Sequence, residues 1–257
     1  MSIYEHFRPE EKLLIDRFID WRQQAEQRYV PKLTDFLDPR RQQILRSVVG
    51  EGGAVRALFN GGYGQAERKR ALLLPPYGEA AEDDFQLGYV EVVFPARFVA
   101  LTHRQLLGAV LGCGVERSKI GDLIVTGERA QFICTREIES FLLLNLTAVG
   151  RTHVECRPIG ADRLLHKTQE WSDYIVTVSS LRLDAVVSEV YRLSRTKSAA
   201  MIARGMVKVN WAVEDQKDAE VYEGDVLSLR GYGRSKIISV DGSTKKHKIR
   251  LQYGKLN

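Results

Sequence analysis

The spacing of apolar positions changes along the chain, and each change marks a candidate domain. In RPEEKLLIDRFIDWRQQAEQRYV, Leu14, Phe18, Trp21 and Ala25 recur on one helical stripe. Pro9 suits the first helical position, Glu10 and Glu11 sit near the positive end of the helix dipole, and Pro31 ends the run. Asp38 followed by Pro39 announces a second helix, which Gly50 stops. The runs AVRALFN and RALLLPP then predict two short strands around the irregular stretch GGYGQAERKR. PPYGEAAEDD, from Pro75 to Asp84, is rich in proline, glycine and acid and is the first expected boundary.

The next segment reads strand (LGYVEVVFP), helix (THRQLLGAVLG, capped by Thr102 and stopped at Gly112) and hairpin (DLIVTGERAQFICT, turning at Gly127-Glu128). A second helix (REIESFLLLNL) and a strand (THVECRPI) complete it. This β-α-β-β-α-β order is the ferredoxin-like arrangement that RNA-recognition motifs share, although topology alone does not carry function. A base-stacking sheet needs aromatic residues on its central strands. Phe132 is the one aromatic on the candidate strand, and Tyr89 and Phe94 fall on opposite faces, so the sheet is expected to pack against a neighbouring domain.

After a connection ending in a short strand around Ile175 to Val178, Ser180 is expected to cap a helix from Leu181 with Leu183, Val186, Val187 and Val190 inward. Ser194 is expected to cap a second helix, with Ala199, Ile202 and Ala203 inward and Gly205 as its stop. The strands MVKVN, VYEGDVLSLRG (turning at Gly224-Asp225), RSKIISV and HKIRLQY close a small sheet. The expected fold class is α+β and multidomain. It comprises a helical α+β domain (1–80), a ferredoxin-like, RRM-like domain (85–165) and a small α+β domain (180–257).

Composition narrows the function. No apolar run approaches the roughly 18 residues that span a bilayer, and MSIYEHFRPEEK has no apolar signal core, so a cytoplasmic protein without a membrane partner is expected. Cys113, Cys134 and Cys156 are odd in number and far apart, which argues against disulfides and metal ligation, and the five histidines are scattered. GGYGQAERKR has Glu67 at the last glycine position of a dinucleotide loop and lacks the Lys-[Ser/Thr] of a phosphate loop. Gly112 and Gly114 follow a helix instead of a strand, so neither stretch implies a cofactor.

Charge is distributed unevenly. Residues 181–257 hold 15 basic and 9 acidic residues (+6), leaving 23 basic and 24 acidic residues (−1) in residues 1–180. A basic module on a neutral body suits phosphate binding. Within it, Arg195 and Lys197 occupy a first helical turn, where they oppose the helix dipole, and a phosphate there would account for them. Arg68, Lys69 and Arg70 form a second basic patch, either solvated or an auxiliary RNA contact.

These residues resemble the small RNA-binding domain named after ribosomal protein S-four. The matching positions are Arg182-Leu183-Asp184, Ser194-Arg195, Ile202, Gly205, Val207, Val209, Asn210 and Gly224-Asp225. Trp211 stands where many such domains have glycine, and Ser198 where alanine is usual. The resemblance implies RNA contacts from Arg182, Arg195, Lys197 and Ser198, with Arg204 and Lys208 secondary. Asp184 is expected to orient Arg182 or to cap locally.

Together with LTDFLDPR, AERKRALL, KIGDLIV and VSSLRLDAVVSEVYRLSR, nearly the full length is similar to the YlmH-type proteins. That resemblance implies a non-enzymatic factor, and a monomer is expected. It would bind ribosomal RNA and tRNA on large subunits carrying stranded peptidyl-tRNA, and assist C-terminal alanine tailing beside a tailing factor. Two alternatives stand beside it. One is a pseudouridine-synthase-like RNA-modifying enzyme using Asp184, disfavoured because Asp184 lies inside a helix and lacks a Thr-Ser-Gly-like turn after it. The other is a cell-division-linked interaction protein.

Overall fold

The computed structural model describes residues 7, 11–50, 52–166, 171–243 and 248–256. Pro9 and Glu10, assigned above to a helix start, lie outside the described residues. The chain divides into two compact units, Met1–Lys167 and Thr168–Asn257.

The first unit is built in four layers. Helices α1 (Lys12–Arg28) and α2 (Pro39–Val49) cover one face of an antiparallel sheet of β1 (Lys32–Leu37), β2 (Arg56–Asn60) and β3 (Lys69–Leu74), ordered β1-β3-β2. Ile15, Phe18, Ala25, Ile44, Leu45 and Val48 meet Ala71 and Leu73 there. Asp38 caps α2 as expected, its side chain accepting from the Arg41 N–H. Central strand β3 ends in the apolar run Ala71 to Leu74 because both of its faces are buried there. Its other face, Leu72 and Leu74, joins Phe36 in packing on Ile124 and Ile133 of a second sheet.

That second sheet contains β4 (Leu87–Val93), β5 (Ile120–Val125), β6 (Ala130–Thr135) and β9 (Glu155–Pro158), ordered β5-β6-β4-β9. Helices α3 (His103–Gly112) and α4 (Arg136–Asn145) cover its far side, and the small hairpin β7 (Ala148–Val149) and β8 (Thr152–His153) follows α4. Thr102 and Gln105 close a capping box at the start of α3. Helix α3 runs through Gly112, and Gly114, with φ of +87°, makes the turn after it. The strand and helix order is that of a split βαβ domain.

Phe132 points toward α3 and α4. The opposite face, where an RNA-recognition motif stacks bases, is closed by the first sheet and by residues 163–165. Ile133 and Gln131 are fully buried there. Gln131 donates to the Arg163 carbonyl and accepts from the Leu165 N–H. Gly121 permits the contact between sheets, since a Cβ at that position would lie 2.8 Å from the Phe36 ring.

The second unit is a six-stranded antiparallel sheet. Its members are β10 (Trp171–Val178), β11 (Val207–Val209), β12 (Ala212–Val213), β13 (Val226–Leu229), β14 (Gly233–Ser243) and β15 (Ile249–Leu256), ordered β10-β15-β14-β13-β11-β12. Strand β10 pairs with β15 along its full length, so this unit begins ahead of the expected start at residue 180. Helices α5 (Leu183–Tyr191) and α6 (Arg195–Ala203) pack on one face through Leu183, Val186, Val187, Val190 and Ile202.

Candidate nucleic-acid interface

Helix α5 is not capped by Ser180. Arg182 occupies the cap position without a side-chain bond to the helix. The N–H groups of Leu183 and Asp184 donate instead to the Ala219 and Lys217 carbonyls of the segment before β13. Asp184 therefore enters the first turn, where its charge favours the helix dipole. After the left-handed Arg192, Ser194 caps α6, its Oγ accepting from the Lys197 N–H at 3.2 Å. The helix ends in paired bonds from Gly205 N to Ile202 O and from Met206 N to Met201 O, a Schellman closure with Gly205 at φ of +66°.

These starts bring two arginines to one carboxylate. Asp184 accepts from Arg182 Nε at 3.3 Å and from Arg195 Nη2 at 3.1 Å. Arg195 Nη1 also donates to Ser179 Oγ at 3.2 Å. The Asp184 side chain is only 9% exposed, whereas those of Arg182 and Arg195 are 44% and 48% exposed. Each guanidinium is thus fixed at one edge and open at another, a forked donor arrangement suited to phosphate oxygens.

Burial alone would raise the Asp184 carboxyl. The hydrogen bonds and charges of Arg182 and Arg195 outweigh it and hold the group below the usual carboxylate range. This clamp contributes stability above the ordinary carboxylate pKa and loses it as pH falls through the lowered folded value. An Asp184→Asn variant is therefore expected to show a smaller drop in urea midpoint than wild type between neutral pH and about pH 3. An unchanged drop would remove Asp184 from that acid response.

The other expected contacts separate. Lys197 is exposed, with its Nζ 5.7 Å from the Tyr232 ring centroid. Arg204 is exposed at the end of α6. Ser198 is fully buried and its hydroxyl has no hydrogen-bond partner among the described residues, so it cannot reach RNA. Its place on the inner side of a helix that packs on α5 is the reason alanine suffices there. Lys208 is exposed on β11, but Val207 and Val209 turn toward the helices, so alternation puts Lys208 on the opposite sheet face.

The patch at Arg68 to Arg70 is corrected more sharply. Arg70 is buried and donates to the carbonyls of Thr34, Phe85 and Gln86. Arg68 donates to those of Phe36, Arg117 and Ile120. Burial lowers both guanidinium pKa values, which marks interior clamps and not a phosphate surface. Lys69 donates to the Gly64 carbonyl at 3.3 Å. The loop is locked by Asp122 of β5, whose carboxylate accepts from Tyr63 OH, Glu67 N and Arg68 N at 2.7, 2.8 and 2.9 Å. The stretches AERKRALL and KIGDLIV are thus two halves of one polar joint.

Comparison with known proteins places this architecture. Residues 10–78 match the family description "YlmH, N-terminal", and residues 80–162 match "Putative RNA-binding domain in YlmH". A protein of Bacillus subtilis (strain 168), "Ribosome-associated protein quality control protein P2", is 41% identical over 98% of this chain and 98% of its own length. The chain belongs to the YlmH family. A solved structure of another member, "Cell division protein ylmH from Streptococcus pneumoniae", has a TM-score of 0.56 and 25% identity. It covers 64% of this chain and 100% of its own. Among the described residues of this YlmH protein, no helix is long and apolar enough to cross a membrane, and no His, Cys, Asp and Glu group could hold a metal ion. Spacing gives no signal for Asp122 or Arg234, and Trp211 stands out only as a departure from the S-four pattern. The signal that could have found Arg234 is strand alternation, which puts it on the same sheet face as Lys208.

Proposed function

We propose that this protein is a non-catalytic RNA-binding factor of ribosome-associated quality control. It docks on ribosomal RNA of the large subunit carrying a stranded peptidyl-tRNA, contacts the tRNA and assists C-terminal alanine tailing from the cytoplasm as a monomer. The observation that carries this reading is the pair of half-exposed guanidiniums of Arg182 and Arg195 held on Asp184. Lys197 extends the same charge along α6, and the basic excess of residues 181–257 supports it. The B. subtilis relative's name supplies the pathway, and the helix pair on a twisted sheet agrees with the S-four resemblance. Asp184 is committed to two arginines and ionised, an arrangement that disfavours it as a catalytic acid.

The expected result is co-sedimentation with purified large subunits that weakens steeply and linearly in log[salt]. Salt-insensitive association, or none, would overturn the reading. Ribosomal RNA from a deletion strain is expected to carry the same base modifications as wild type by mass spectrometry. A modification restored by wild type but not by Asp184→Asn would make the protein an enzyme. A division-linked role is a second reading, favoured by the name of the pneumococcal structure.

A further inference from the structure

The hairpin joining β11 to β12 is a two-residue turn. Val209 pairs with Ala212, while Asn210 and Trp211 both take positive φ, +48° and +67°. Such a turn suits Asn-Gly, because the second position is costly for any residue with a Cβ. Asn210 has a local structural role. Its Nδ2 donates to Asp225 Oδ1 at 2.7 Å, and its Oδ1 accepts from Val226 N at 2.9 Å, tying the hairpin to the Gly224-Asp225 turn.

Trp211 has no comparable bond. Its indole Nε1 is buried and without a hydrogen-bond partner among the described residues. A large aromatic residue in a glycine position, with an unused donor, is backbone strain in search of a purpose. The surroundings suggest one. The Arg234 guanidinium lies 6.0 Å from the Trp211 ring centroid. The register aligns Lys208, Ser228 and Arg234 across three strands, and Lys236 opposite Val226 in the next row. All lie on the sheet face away from α5 and α6. Lys208 and Lys236 are exposed. Of the nearby carboxylates, Asp225 is engaged by Asn210 and the Tyr222 N–H, Glu214 accepts from the Gln216 N–H, and Asp173 and Glu223 line a cavity with Lys236.

An aromatic plate beside a guanidinium, flanked by two lysines, is the chemistry that holds an unpaired base and its adjoining phosphates. We infer that the outer face of the C-terminal sheet, centred on Trp211 with Arg234, Lys208 and Lys236, is a second RNA subsite that captures a single-stranded nucleotide. The inference rests on the RNA-binding reading of the α5–α6 face but is separable from it, since the two surfaces use different residues.

The test uses the full-length protein with a single-stranded oligoadenylate, an RNA duplex and purified large subunits. Trp211→Gly places the favoured residue in the turn, so the variant is expected to fold with an equal or higher melting temperature. Loss of one stacking contact should weaken oligoadenylate binding about tenfold, with duplex affinity nearly unchanged and Trp211→Phe retaining part of the binding. Oligoadenylate quenching of tryptophan fluorescence should diminish in Trp211→Gly. Wild-type oligoadenylate affinity in Trp211→Gly would overturn the subsite. If that variant instead lost only large-subunit binding, the hairpin would meet a folded surface of the subunit and not a single-stranded nucleotide, which also overturns it. Loss of subunit binding in an Arg182→Ala/Arg195→Ala variant would leave the docking reading intact in either case. If neither variant lost affinity for either RNA or for large subunits, the docking reading itself would fail.

Discussion

Replacing Arg182 and Arg195 together by alanine is expected to lower affinity for large ribosomal subunits roughly a hundredfold near physiological salt, and to reduce the slope of log K against log[salt] by about 2. The slope is the more telling number. It counts phosphates neutralised, so it falls only if these two guanidiniums meet the backbone of the RNA. A complication comes from Asp184, whose nearly buried carboxylate would lose both of its partners. A stranded buried charge destabilises its surroundings, and binding could then fall for a structural reason. A triple variant that also carries Asp184→Ala separates the causes, because it removes the stranded charge without restoring a cation. If the triple variant regained subunit binding, the loss would be structural and the two arginines would not be phosphate ligands. Continued weak binding with a reduced slope assigns them to the interface. Retention of wild-type slope by the folded double variant would move the interface elsewhere.

What could be read from the chain divides along physical lines. Signals that act within a few residues were legible. Asp38-Pro39 at α2, Thr102 at α3 and Ser194 at α6 each place a side-chain acceptor where the helix leaves N–H groups unpaired. The start of α5 is not legible locally, because its partners, the carbonyls of Lys217 and Ala219, come from more than thirty residues away. Strand β1 lacks a clear strand pattern because a register shift between Leu33 and Phe36 breaks the alternation by which a strand is recognised.

The site shows the same divide. Arg182, Asp184 and Arg195 come together because two helix starts adjoin, and the recognisable motif marks both starts. Arg68, Lys69 and Arg70 look like a surface patch when only charge is counted. Their fate depends on carbonyls from β1, the turn before β4 and the start of β5, which only the packed sheets bring together. Three basic residues in a row preceding the apolar run of β3 therefore became two interior clamps and one partly exposed lysine. Exposure, and with it the distinction between a phosphate ligand and a structural cation, is a property of the fold.

Asp122, as the shared acceptor of the loop before β3, is the residue whose loss should be most damaging to the first unit. Asp122→Ala is expected to destabilise it by about 4 kcal/mol, the range for removing one partner from a buried charged network. Three donors, Tyr63 OH and the Glu67 and Arg68 N–H groups, would lose their acceptor at once. The charge of Asp122 also offsets the burial of Arg68 and of Arg117. Burial and then the neighbouring Arg68 charge bring Arg117 down to about 10, and Asp122 acts against that fall. Asp122→Asn keeps one acceptor oxygen but not the charge, so its effect should be intermediate. Calorimetry of the full chain would register the lowered transition. Hydrogen exchange would locate it, with the amides of Glu67 and Arg68 losing protection while those of α5 and α6 keep theirs. RNA affinity at a temperature where both units remain folded is expected to stay at the wild-type level, since Arg68 and Arg70 point inward. If Asp122→Ala left stability intact yet weakened RNA binding, the loop from Gly61 to Arg70 would belong to the interface after all, and the separation of a structural joint from an RNA-contacting surface would have to be redrawn.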